Sequence, residues 1–86
     1  MISRAHGQYW ECFNALPLDI QRMAKAKYRL WIQDCFHPSL RFKLLKEDVW
    51  SVRVNQNYRA LGRRQGNLIV WFWIGTHSDY DQLVKR

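Results

Sequence analysis

Trp50-Ser51-Val52-Arg53-Val54, then Asn55-Gln56-Asn57, then Tyr58-Arg59-Ala60-Leu61-Gly62-Arg63: apolar or small side chains alternate with polar ones on either side of a polar turn. Period two interrupted by a turn predicts a half-buried β-hairpin. A core requires one consistently apolar face, and that requirement fixes the register. Trp50, Val52 and Val54 then share a face with Tyr58, Ala60 and Gly62. The same register sets Arg53 across from Arg59 on the opposite face. Like charges directly opposed across strands are destabilising, and a bound anion would relieve them. Lys43 on the preceding strand and Arg63 further along the hairpin stand to join that face. The alternative is structural, with either arginine paired to Asp34, Glu47 or a terminal acid.

Working outward, Phe42 and Leu44 alternate with Arg41, Lys43 and Leu45, which predicts a further strand. Leu68 to Gly75 is apolar on both faces and predicts a central, doubly covered strand, entered through a turn at Gln65-Gly66-Asn67. Trp71 and Trp73, two apart, are expected on one face of it as packing residues. Upstream, Tyr9, Trp10, Phe13 and Leu16 follow a helical spacing over Gly7–Leu16. Pro17 can end that helix and begin the next over Leu18–Gln33, whose apolar side holds Ile20, Met23, Ala24, Tyr28 and Trp31. Lys27 falls inside that apolar arc, where a long stem can snorkel. His37-Pro38-Ser39 breaks the helical pattern. Ser78-Asp79-Tyr80-Asp81 reads as the capped start of a short final helix. Ile2 to Arg4 offers only a weak candidate edge strand. The expected fold is therefore α+β, one domain over residues 1–86. An N-terminal helical hairpin packs on a twisted antiparallel sheet, and a short C-terminal helix follows.

Composition narrows the function. Fourteen Lys and Arg oppose seven Asp and Glu, for a formal net charge of +7. Seven of the basic residues lie between Arg41 and Arg64, against only Glu47 and Asp48. A clustered positive field attracts polyanions, which points to nucleic acid or an acidic protein partner. Cys12 and Cys35 make neither a disulfide framework nor a zinc site. No acidic cluster suggests a metal nuclease, and no glycine-rich phosphate loop is present, so no metal or cofactor is expected. The longest apolar run is far short of a membrane span. The first residues lack a signal-peptide core, and a cytoplasmic location is expected.

His77 follows the apolar strand directly, after Gly75 and Thr76, with Tyr80 three residues on. A side chain just past the end of a buried strand stands on a rigid support and still reaches solvent. A histidine beside a tyrosine is a plausible proton-transfer pair. His6 and His37 have no such company and are expected to be structural. Asp79 and Asp81 are expected to favour the helix N-terminus.

Several of these segments, taken together, resemble toxins of the RelE/ParE type from bacterial toxin–antitoxin pairs. Leu16-Pro17 with Ile20-Gln21 resembles the entry to their second helix. His37-Pro38-Ser39-Leu40 followed by Phe42-Lys43-Leu44-Leu45 is similar to the segment leading into their sheet. Trp50 to Val54 with Tyr58-Arg59-Ala60-Leu61 looks like their hairpin, and Trp73-Ile74-Gly75-Thr76-His77 with Tyr80 like their ending. The likeness runs from about Phe13 to Leu83. It implies a cognate antitoxin that covers the basic surface. It also implies one of two activities: metal-independent cleavage of mRNA on the ribosome, as in RelE-like members, or non-catalytic inhibition of DNA gyrase, as in ParE-like members. A third possibility is a degenerate toxin that only binds its antitoxin. For cleavage, the resemblance assigns catalysis to Arg53, Arg59, His77 and Tyr80; Lys43, Lys46 and Arg63 are expected to hold RNA backbone. One departure stands out: Ser51 occupies the position where some RelE-like nucleases carry a second lysine.

Overall fold

The computed structural model describes residues 1–85. In chain order these form β1 (Ile2–Ala5), α1 (Gly7–Asn14), α2 (Leu18–Gln33), a 3₁₀ turn (Pro38–Leu40), β2 (Lys43–Lys46), β3 (Val49–Asn55), β4 (Tyr58–Gln65), β5 (Leu68–Thr76) and α3 (His77–Val84). The strands build one sheet in the order β1-β5-β4-β3-β2. The expected α+β architecture, a helical hairpin against a sheet with a short final helix, is therefore the observed one. The sheet differs in being mixed rather than antiparallel throughout. β1 runs parallel to β5, from Ile2 opposite Leu68 to Ala5 opposite Trp71. β5 is accordingly an interior strand, while β4 holds the middle of the sheet.

Local chemistry sets the boundaries. The imidazole of His6 accepts the backbone N–H of Gln8 at 3.1 Å and caps α1. Pro17 stands immediately before α2, with Asp19 in the first turn beside the positive end of the helix. His37 accepts the backbone N–H of Ser39 at 3.2 Å and caps the 3₁₀ turn, so both of these histidines have local structural roles. Lys27 does snorkel: its ammonium donates to Ser39 Oγ at 3.4 Å. The hairpin between β4 and β5 turns through Gly66 at φ +60°, where a side chain would be strained. Cys12 and Cys35 are both free. No helix among the described residues is long and apolar enough to cross a membrane.

The core lies between the α1–α2 layer and one face of the sheet. Trp31 from α2 packs edge-on against Phe42 and Trp71, over Val52, Val54 and Ile74. A β-bulge decides which residues reach it. Leu61 pairs with Trp73 and Gly62 with Trp71, so Phe72 is an extra residue in β5. The expectation that Trp71 and Trp73 share a face is thereby overturned. Trp71 turns into the helical layer, lies across Gly62 and donates its indole N–H to Ser3 Oγ at 3.1 Å. A Cβ at Gly62 would come within 2.8 Å of the Trp71 ring, which is why this position has no side chain. Trp73 turns to the opposite face beside Leu61, and its ring lies where a Cβ on Gly75 would be, 2.6 Å away.

Ile69 is completely buried at the centre of this core, whereas Ile32 on α2 is 60% exposed. Ile69→Ala is expected to cost about 2–5 kcal/mol in chemical unfolding, and Ile32→Ala about 0.5 kcal/mol or less. Equal losses at the two positions would contradict this placement of the core.

Candidate anion-binding face

Strand pairing places the basic residues together. Arg53 pairs with Arg59, Lys43 with Ser51, and Val49 with both Lys46 and Arg63. Residues in register share a face, and Val52, Val54 and Ala60 occupy the helix-covered face. Lys43, Lys46, Arg53, Arg59 and Arg63 therefore all belong to the opposite face, as the hairpin pattern predicts for all but Lys46, which the bulge between Leu44 and Lys46 turns outward.

Their electrostatic situations differ. Arg63 Nη1 donates to Asp48 Oδ1 at 2.8 Å, and its guanidinium lies 5.6 Å from the centre of the Phe72 ring. Asp48 in the β2–β3 turn thus balances Arg63, which is less available to a ligand than the sequence suggests. Lys43 and Lys46 are exposed. Neither Arg53 nor Arg59 has a carboxylate partner among the described residues: Asp48 pairs with Arg63, and Asp81 stands beside His77. Asp34 and Glu47, the structural alternatives raised by the sequence, do not serve them. The structure therefore retains two opposed guanidinium groups with no neutralising acid.

Arg59 is the better held of the two. Its Nε–H donates to His77 Nδ1 at 3.1 Å, and its guanidinium carbon lies 5.1 Å from the centre of the Tyr80 ring. Its Nη1 is buried without a hydrogen-bond partner. Burying a donor unpaired is costly, so the fold bears a local cost at this guanidinium. His77 is the first residue of α3, capped by Thr76 rather than by the expected Ser78: Thr76 Oγ1 accepts the Asp79 N–H at 3.1 Å. The His77 backbone N–H donates to Asn57 O at 2.7 Å, tying the start of α3 to the β3–β4 turn. The His77 and Tyr80 rings stack with centroids 5.4 Å apart. The expected proximity of these two residues is thus found, although Tyr80 is only 7% exposed and lies beneath the others.

Sequence reasoning missed a role for Asp81 here. Its Oδ1 stands 3.6 Å from His77 Nε2. The i,i+4 spacing was a legible signal, since such residues are neighbours on a helix. Ser51 is completely buried and its hydroxyl unpartnered. Among the described residues no three His, Cys, Asp or Glu side chains cluster to hold a metal ion.

Removing one of two opposed cations should relieve strain in the free protein. Arg53→Ala is expected to leave thermal stability unchanged or raise it by a few tenths of a kcal/mol. It should also blunt the rise in Tm that inorganic phosphate gives the parent chain. A loss of more than about 1 kcal/mol, as for a structurally paired charge, would contradict the unpartnered state of Arg53.

Comparison with known proteins is consistent with this architecture. The family model of the ParE-like toxin domain matches residues 18–82, while no curated protein matches the sequence. The structure is similar to YafQ from E. coli strain BL21(DE3), with a TM-score of 0.70 at 15% identity over 91% of this chain and 94% of that one. It is similar to a YoeB/ParE toxin from Agrobacterium tumefaciens, with a TM-score of 0.69 at 15% identity over 90% and 99%. The isolated E. coli RelE toxin aligns over 99% of this chain and 96% of its own, with a TM-score of 0.65 and 15% identity. Identities this low speak to the fold, whereas the family model spans both helix α2 and the whole basic hairpin. The chain belongs to the ParE-like toxin domain family, within the RelE/ParE superfamily of toxins.

Proposed function

We propose that this toxin arrests translation by cutting mRNA on the ribosome, without a metal ion. The observation that carries the reading is the pair Arg53 and Arg59, opposed across the hairpin with no carboxylate to neutralise them. Cleavage by the ribose 2′-hydroxyl fits such a site. The 2′-oxygen attacks the adjacent phosphorus and the bond to the 5′-oxygen breaks. The products are a 2′,3′-cyclic phosphate and a 5′-hydroxyl. Negative charge grows on the non-bridging oxygens between those states, and preorganised cations aimed at such charge usually supply the largest single contribution to the rate. Arg53 and Arg59 would take that role, and the exposed Lys43 and Lys46 would hold the RNA backbone. Arg63, balanced by Asp48, would add to the field around them. Proton movement falls to one of the two stacked side chains at this end of the site, His77 or Tyr80.

Membership of a toxin–antitoxin superfamily also implies an antitoxin partner. The +7 charge fits one with an acidic segment.

The second reading is non-catalytic inhibition of DNA gyrase. Ser51 favours it, because a completely buried serine stands where a second cation would strengthen an RNA-cleaving strand. One experiment separates the readings: induce the protein, map message ends on ribosomes, and assay gyrase supercoiling in parallel. Cleavage should leave cyclic or 3′-phosphate ends, and Arg59→Ala should lower it by about 10²–10³-fold. Intact messages beside inhibited gyrase would overturn the nuclease reading. The antitoxin is tested separately, by co-expression with the neighbouring small gene, which should yield a complex that survives purification.

A further inference from the structure

We infer that His77 is a positioning residue for Arg59 and not the group that moves the proton. The inference rests on reading this face as an RNA-cleaving site, but its structural content can be measured without RNA. Arg59 Nε–H donates to His77 Nδ1 at 3.1 Å. That bond exists only while Nδ1 carries a lone pair, so the ring is neutral with its proton on Nε2. Nε2 in turn faces Asp81 Oδ1 at 3.6 Å, and a carboxylate on that side favours this tautomer. The lone pair that a general base needs is therefore engaged by a guanidinium. The ring's other nitrogen faces a carboxylate.

The ring is also well fixed. Its backbone N–H is held by Asn57 O at 2.7 Å, and its face lies against Tyr80 at 25°. Arg59 rests on the same tyrosine ring, 5.1 Å from its centre. A guanidinium recognises phosphate through a planar fork, so the orientation of that plane decides how many bonds it makes. A hydrogen bond at Nε together with a ring beneath the plane fixes that orientation. His77 and Asp81 thus act through Arg59.

The charged and titratable groups around His77 are few: Arg59 from β4, and Tyr80 and Asp81 from its own helix. Tyr58 lines the same shallow hollow, and β5 contributes only Thr76 there.

The test uses His77→Asn and His77→Ala. Asparagine places a carboxamide oxygen near the position of Nδ1 and does not titrate, so it restores the acceptor without restoring a base. In the ¹⁵N-labelled chain, the Arg59 Nε–H should exchange slowly with water in the parent protein and in H77N, and fast in H77A. Cleavage of ribosome-bound message should fall about 10²-fold in H77A. H77N should recover at least about tenfold of that loss. An H77N variant with a protected Nε–H but cleavage as low as H77A would make His77 the base and overturn the inference. Equal Nε–H exchange in the parent and H77A would overturn it on structural grounds. If the parent chain cuts no message while Nε–H follows the expected pattern, the nuclease reading fails and the positioning role of His77 stands.

Discussion

The pairing of β3 with β4 is the constraint from which the rest of the molecule follows. One face of this hairpin must be apolar to meet the α1–α2 layer, and only one register provides that. The register sends Val52, Val54 and Ala60 inward, and it necessarily sends Arg53 and Arg59 outward as direct partners. The packing requirement and the charge repulsion are thus properties of a single alignment. Shifting by one residue to separate the arginines would turn the valines to solvent. The fold therefore holds an unfavourable electrostatic arrangement in place through its hydrophobic core, the kind of local cost that persists when surrounding structure over-determines it.

The two arginines are held unequally. Arg59 emerges from the middle strand, with the β5–α3 junction built around it: Thr76 caps the helix, His77 accepts from the guanidinium, and Tyr80 lies beneath both. The β3–β4 turn closes the arrangement through Asn57. Arg53 has neither an ion pair nor a side-chain hydrogen bond among the described residues and is freer to adapt. One fixed and one adaptable cation across a strand pair can receive a phosphate whose geometry changes as the bond breaks.

Much of this was legible in the sequence. The hairpin register followed from alternation at Trp50–Val54 and Tyr58–Gly62. The limits of α2 followed from Pro17 and the break after Gln33, and the nearness of His77 and Tyr80 from helical spacing. The bulge at Phe72 was not legible, because Leu68 to Ile74 is apolar on both faces and carries no alternation in which a slip would show. β1 was faint for a related reason. Its four residues have little pattern of their own and take their place from the open edge of β5. Thr76 and Ser78 are both good cap residues, and the strand's end at Thr76 decides between them. The Arg63–Asp48 pair was within reach, since pairing Val49 with Arg63 brings the preceding turn beside that arginine.

The central claim is that the unpartnered Arg53–Arg59 face holds the phosphate backbone of single-stranded RNA, and the salt dependence of binding measures this directly. Affinity for a short RNA oligonucleotide should fall linearly with salt on a logarithmic scale, by about 0.7 in slope for each phosphate contact. Arg53→Ala should reduce that slope by about one contact's worth, while Arg22→Ala, on the exposed side of α2, should leave it unchanged. Identical slopes for the parent chain and Arg53→Ala would contradict the account.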